Sequence, residues 1–235
     1  MNPTLVKAFL RQRLTSPMRL GLLTLVSLLP LGAVAIMGTL APLNSLAGPI
    51  ALIFAAGAIG QDVSSGTLQL LLVRPVSRPG YLLNRWLACV FATLGIVIAL
   101  LAFGTVALIL RGTHPDGLDL VRMLLEAASS AAGHAAVMIM LSALVNGLGD
   151  LGIYMATLFM TQMLEGLAAL EKWAWLARAC SEVQHVLGPQ LSWEWLTHGT
   201  APSWFAIASW ASTLTLALAA GIALINRREL SYAAG

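Results

Sequence analysis

Three residues have the types needed for nucleophilic hydrolysis: Glu126, Ser130 and His134, at i, i+4 and i+8 of one apolar stretch. Their order is wrong for it. A catalytic relay needs the imidazole between hydroxyl and acid, whereas Ser130 is the middle residue here. On a helix, Glu126 would lie about 12 Å along the axis from His134. The chain also lacks the Gly-x-Ser-x-Gly turn that exposes a nucleophilic serine. Arg122 and Glu126, four apart, read more simply as an ion pair, and His134 among Ala and Met as a packed, hydrogen-bonded helix residue. Phosphate chemistry has no support either. A phosphate loop needs Gly-Lys-Ser/Thr, and the two lysines, Lys7 and Lys172, follow Val6 and Glu171.

The elements that must hold these residues are set by composition. The chain has 235 residues, 58% of them AVILMFWYC and 10% DEKR. Its mean hydropathy is +0.84. Soluble domains carry about 25% charged residues, so this chain could not cover a soluble globule. A soluble enzyme, a disordered tail and a disulfide-stapled secreted module are excluded. At about 20 apolar residues per bilayer span, there is room for six spans and short loops. The excess of 13 basic over 10 acidic residues, a net charge of +3, is too small to suggest nucleic acid. Cys89 lies in an apolar run and Cys180 in a polar stretch, a placement that predicts neither a disulfide nor a metal site.

Leu20 to Gln61 contains 42 residues without Asp, Glu, Lys or Arg, enough for two spans joined by a turn at Pro42-Leu43-Asn44 to Gly48-Pro49. Spans are expected at about 20–40, 46–60, 86–110, 123–145, 151–170 and 202–225, forming one transmembrane domain over residues 1–235. With both termini cytoplasmic, nine basic residues lie inside (Lys7, Arg11, Arg13, Arg19, Arg74, Arg78, Arg85, Arg227, Arg228) and four outside (Arg111, Arg122, Lys172, Arg178). That bias favours this orientation. Ala33-Val34-Ala35 mimics a signal-peptide cleavage site, but the apolar run exceeds an h-region of about 7–15 residues. Ahead of the first span, Lys7, Arg11 and Arg13 alternate with Leu5, Phe9, Leu10 and Leu14, predicting a short amphipathic helix on the inner membrane surface. Between the fifth and sixth spans, Trp173, Trp175, Trp193, Trp195 and Trp204 favour the headgroup level. This stretch is expected to dip into the outer leaflet as one or two short helices broken at Gly188-Pro189.

Tyr154, Thr157, Thr161 and Glu165 form one polar stripe on the fifth span. A carboxylate at a helix centre costs about 2.5–3.5 kcal/mol on insertion scales. Either the stripe faces a conduit or dimer seam, or Glu165 only reaches the outer headgroups. The connector between the second and third spans holds Asp62, Ser65 and Gln69 at i, i+3 and i+7. As a helix over about 61–73 it would rest on the membrane and show that stripe to the cytoplasm, with Asp62 near its N-terminus and Pro75 ending it. As a plain loop, its arginines would snorkel. The residues alone leave the two readings level.

Gly66-Thr67-Leu68-x-x-Leu71-Leu72-x-x-Pro75-Val76-Ser77-Arg78, followed by Tyr81-Leu82-Leu83, resembles the signature of type-2 ABC exporter permeases, with Asp62 in the acidic position four before Gly-Thr. The six-span layout, the N-terminal amphipathic helix, the outer-leaflet segment and the ending Asn226-Arg227-Arg228-Glu229-Leu230 are similar too. Asn84-Arg85 stands where the family often has Gly-Lys, which keeps the charge. The resemblance implies an all-α permease of the bacterial or archaeal cell (inner) membrane. It implies pairing with a second copy or a paralogue, driven by two copies of a separate ABC ATPase. Asp62, Gly66, Thr67, Leu68, Leu71, Leu72, Pro75 and Arg78 would form the coupling helix that docks on the ATPase. No cofactor is expected in this chain; ATP and Mg would sit on the ATPase. Two rival classes are weaker. Asp116-Gly117 near Asp119 is similar to a lipid-headgroup transferase motif, the intramembrane-enzyme alternative, but lacks its downstream aspartates. A non-transporting scaffold or receptor would leave the connector unexplained.

Overall fold

The computed structural model describes residues 3–66, 77–145, 147–199, 201 and 203–227, and every regular element among them is helical. Helix α1 (Pro3–Leu14) leads through Ser16, in extended conformation, into α2 (Pro17–Met37), whose first turn is preset by Pro17. Gly38, at φ +69, ends α2 with its N–H on the Val34 carbonyl. A single 3-10 turn (Ala41–Leu43), α3 (Ala47–Ala55) and α4 (Gly60–Ser64) make the second crossing, which is broken at 56–59. Then follow α5 (Arg78–Leu110), α6 (Gly117–Leu144), α7 (Gly149–Leu170), α8 (Ala174–Leu187), α9 (Trp195–His198) and α10 (Trp204–Arg227).

Among the described residues, six stretches are long and apolar enough to cross a membrane: Pro17–Met37, Ala41–Ser64, Arg78–Leu110, Gly117–Leu144, Gly149–Leu170 and Trp204–Arg227. The second and fourth are 72% buried and form the centre, while the first and last are 11% buried and wrap around it. Small residues on α6, among them Ala127, Ser130, Ala131, Ala135 and Ala136, admit this close packing. The indoles of Trp86 and Trp210 donate to the Ala132 and Ser129 carbonyls and pin α5 and α10 to α6. Helix α1 and the end of α10 lie at the same end of the bundle, beside the start of α5. Arg78, in the first turn of α5, donates to the carbonyls of Ile225 and Asn226 at the end of α10, where a cation is favoured.

The helix that holds the expected third span begins at Arg78, ahead of the apolar run from Trp86; Arg85 is drawn inward, and Ser77 caps the helix by accepting the Gly80 N–H. Of the helix expected over 61–73, residues 67–73 lie outside the described residues. Helix α4 stops at Ser64, and Gly66 takes φ +71, a left-handed conformation that ends a helix. Arg122 pairs with Asp119 at 3.5 Å, and the Glu126 carboxylate instead accepts the Trp193 backbone N–H at 3.2 Å.

Candidate functional site

The end of the bundle that carries α1 and the end of α10 holds a buried polar knot built around the break in the second crossing. Gly57, at φ +64, turns the chain out of the helix and frees backbone groups from the ladder. Lipid offers such groups no partner; here side chains from distant segments supply them. Arg13 of α1 donates from Nη1 to the Ala56 carbonyl at 2.6 Å and from Nη2 to the Gly57 carbonyl at 2.8 Å. Arg19 adds a bond to the Ala56 carbonyl at 3.3 Å and one to Gln61 Oε1 at 3.0 Å. The Gly57 N–H donates to Asp150 Oδ2 at 2.6 Å, and Ile59 and Gly60 both donate to Ser142 Oγ at 2.9 Å. Gly147 donates to the Gly60 carbonyl at 2.9 Å. The approach is tight enough that a Cβ on Gly60 would lie 2.6 Å from the Gly147 oxygen and 2.7 Å from that of Val145.

One turn beyond the break, Asp62 accepts from the Tyr81 hydroxyl and from Arg85 Nη2, and Arg85 Nε donates to Tyr81 Oη at 3.2 Å. Asp62 is 3% exposed and Arg85 8%, so their charges are compensated inside the protein rather than by water. The ring of Phe9 on α1 lies against both guanidiniums, 4.1 Å from Arg85 and 4.9 Å from Arg13, a cation–π arrangement. Burial, and secondarily Arg19, pushes the Arg13 guanidinium down to about 10, which leaves it charged at neutral pH. Four segments are thereby tied together: α1, the broken crossing, the start of α5 and the α6–α7 turn. The two ends of the 65–77 connector emerge from α4 and α5, whose first residues the Asp62–Arg85–Tyr81 cluster joins.

The sequence profile of the ABC-2 family transporter proteins matches residues 18–230. The chain belongs to this family. It is therefore the membrane permease of an ABC transporter, a class that works with an ABC ATPase, and it is an integral membrane protein. A search of curated proteins gives no match.

In this ABC-2 permease, the residues singled out from the connector are distributed unevenly. Asp62 is not displayed on an exposed stripe; it is turned inward because Arg85 and Tyr81 compensate it. Arg85 likewise leaves the surface. Gly66 follows α4 directly, and Arg78 caps α10. Thr67, Leu68, Leu71, Leu72 and Pro75 lie outside the described residues. On α7, Tyr154 and Thr161 are buried within the protomer, and the hydroxyls of Thr157 and Thr161 bond back to carbonyls one turn earlier. Glu165 accepts from Gln184 Nε2 of α8 at 2.9 Å. The hydrolase-like trio is only partly assembled: the Ser130 hydroxyl lies 3.3 Å from His134 Nδ1, but Glu126 is engaged elsewhere. The His134 Nδ1 bonds its own helix at the Ser130 carbonyl, 2.8 Å away, and Glu126 is taken up by Trp193. Arg13 faces inward rather than along a purely polar outer side of α1. The sequence does not mark Arg13, Ser142 and Asp150 as site residues; their only local signal is a charge or hydroxyl next to an apolar run.

Proposed function

We propose that this permease exports a substrate across the bacterial or archaeal inner membrane as a pair of copies, or with a paralogue, coupled to two ATPase chains that carry ATP and Mg. Both termini and the connector face the cytoplasm, in keeping with the nine-to-four basic bias. The reading rests chiefly on one observation: the connector that carries the family signature is rooted in α4 and α5, and the buried Asp62–Arg85–Tyr81 cluster joins those roots to α1 and to the broken crossing. A displacement delivered by the ATPase at residues 66–78 passes first into that cluster. The break at 56–59 lets α4 move against α3 without distorting a continuous helix. Gly66, Thr67, Leu68, Leu71, Leu72, Pro75 and Arg78 form the docking segment, and Asp62 holds its root rather than touching the ATPase.

The test is assembly and topology together. A Gly66→Leu permease should insert normally but lose co-purification with its ATPase. A single cysteine at Ser77, in a chain lacking Cys89 and Cys180, should react only from the cytoplasmic side. Ser77 labelled from outside, or unchanged ATPase binding in Gly66→Leu, refutes the reading.

A further inference from the structure

The surface of the bundle end that carries α1 bears charge of one sign. No Asp or Glu occurs in the first 61 residues, whereas Lys7, Arg11, Arg13 and Arg19 fall within thirteen. Among the described residues the acids of this end are Asp62 and Asp150, 3% and 0% exposed. Both are spoken for: Asp62 by Arg85 and Tyr81, Asp150 by the Gly57 N–H. The cations are not fully matched even inside, since Arg13 Nε and Arg85 Nη1 are buried without a hydrogen-bond partner. Outside, Lys7 and Arg11 are exposed one turn apart on one face of α1, and neither forms an ion pair among the described residues. Like charges so placed repel.

The corner between α1 and α2 adds donors and an apolar track to this charge. Ser16 is extended and its side chain makes no capping bond; the first ladder bond of α2 runs from the Leu20 N–H to the Ser16 carbonyl. The Met18 and Arg19 N–H groups precede that bond, and such free helix-end donors accept an anion. Arg11 lies one turn before the corner, its carbonyl accepting the Thr15 N–H at 3.1 Å, and Arg19 sits in the first turn after it. Along α2, Met18, Leu22, Leu25 and Leu29, at i, i+4, i+7 and i+11, are all exposed and share one face. This bare track is about 16 Å long, close to the depth of one leaflet. The cations stand at its foot.

We propose that this corner binds an acidic phospholipid of the inner leaflet. The anionic headgroup lies at the first turn of α2, in the field of Arg11, Arg19 and Lys7, and an acyl chain follows Met18, Leu22, Leu25 and Leu29. The proposal rests on the reading of this end as cytoplasmic. A free anion would use the cations and N–H groups but not the track; a neutral lipid would use the track and leave the surplus charge. Each Lys or Arg at an anionic membrane surface adds attraction, and salt weakens it. The contact reaches the interior. Arg13 on α1 and Arg19 on α2 hold the Ala56 and Gly57 carbonyls, so a lipid that clamps the corner also steadies the break in the second crossing.

Titrating phosphatidylglycerol into the full-length permease held in phosphatidylcholine nanodiscs tests this. The melting temperature, followed by tryptophan fluorescence, should rise with phosphatidylglycerol but not with further phosphatidylcholine or with inorganic phosphate. Native mass spectrometry should show phosphatidylglycerol retained. Lys7→Gln/Arg11→Gln should raise the phosphatidylglycerol needed about tenfold or more, whereas Lys172→Gln/Arg178→Gln, at the other end of the bundle, should leave it unchanged. Equal stabilisation by the two lipids overturns the proposal, as does an equal loss in the two double variants. Inorganic phosphate that stabilises as well as phosphatidylglycerol also overturns it, leaving a free-anion site. Ser77→Cys labelling reads the topology separately. Cytoplasmic labelling with no discrimination between the lipids removes the lipid site and leaves the exporter standing; external labelling refutes the cytoplasmic reading and the inner-leaflet assignment with it.

Discussion

Removing one member of the Asp62–Arg85–Tyr81 cluster should be far more damaging than removing the whole cluster. Asp62→Leu leaves the Arg85 guanidinium, 8% exposed, without its carboxylate and the Tyr81 hydroxyl without its acceptor. Breaking a buried pair from one side costs about 3–5 kcal/mol, because the remaining charge stays desolvated. Arg85→Met should cost a similar amount, leaving Asp62 with Tyr81 alone and taking one guanidinium from Phe9. The triple variant Asp62→Leu/Arg85→Met/Tyr81→Phe removes every polar member of the cluster together. Apolar replacement of complete buried pairs is often neutral, so it should fall within about 2 kcal/mol of the wild type. The predicted coupling between the changes is then several kcal/mol. Unfolding of the purified permease in mixed micelles, titrated with denaturing detergent and followed by tryptophan fluorescence, measures each variant. Costs that add within about 0.5 kcal/mol would show the three side chains to be independent and would refute the cluster as a structural unit.

Other outcomes follow from the same geometry. Gly60→Ala drives a methyl into the carbonyls of Gly147 and Val145 and should lower the melting temperature markedly, whereas Gly66→Ala, with open space around it but φ +71, should cost only about 1 kcal/mol in the same assay. Ser142→Ala leaves the Ile59 and Gly60 N–H groups without their acceptor, a loss of about 2–4 kcal/mol by detergent unfolding. Glu165→Leu should free α8 from α7 by breaking the bond to Gln184, read as faster proteolysis in the 171–190 region, while Glu165→Gln should largely preserve it.

The crossings were legible because span hydropathy is a local property: a charge-free run from Leu20 to Gln61 can only be apolar helix and turn. The two short helices between the fifth and sixth spans were legible through the break at Gly188-Pro189. The knot was not. The break passes through Ala-Gly-Ala-Ile, which carries no polar mark, and its partners stand 43, 83 and 93 residues away. By sequence alone, Arg13 and Arg85 mark the inner surface, which is where isolated arginines belong. Only the folded chain shows that Ala56, Asp62 and Phe9 draw them inward. Glu126 shows the same limit. Its spacing matched Arg122, but a three-residue spacing to Asp119 and the distant Trp193 N–H claimed the two groups instead.

The central claim is that ATPase movement enters this permease through the connector and its buried root. The direct measurement is permease-dependent ATPase turnover in the reconstituted complex, comparing the wild type with the triple variant Asp62→Leu/Arg85→Met/Tyr81→Phe. The account predicts that the triple variant folds and still co-purifies with the ATPase, but loses most of the permease's effect on turnover. A stably assembled triple variant that modulates turnover as the wild type does would contradict it.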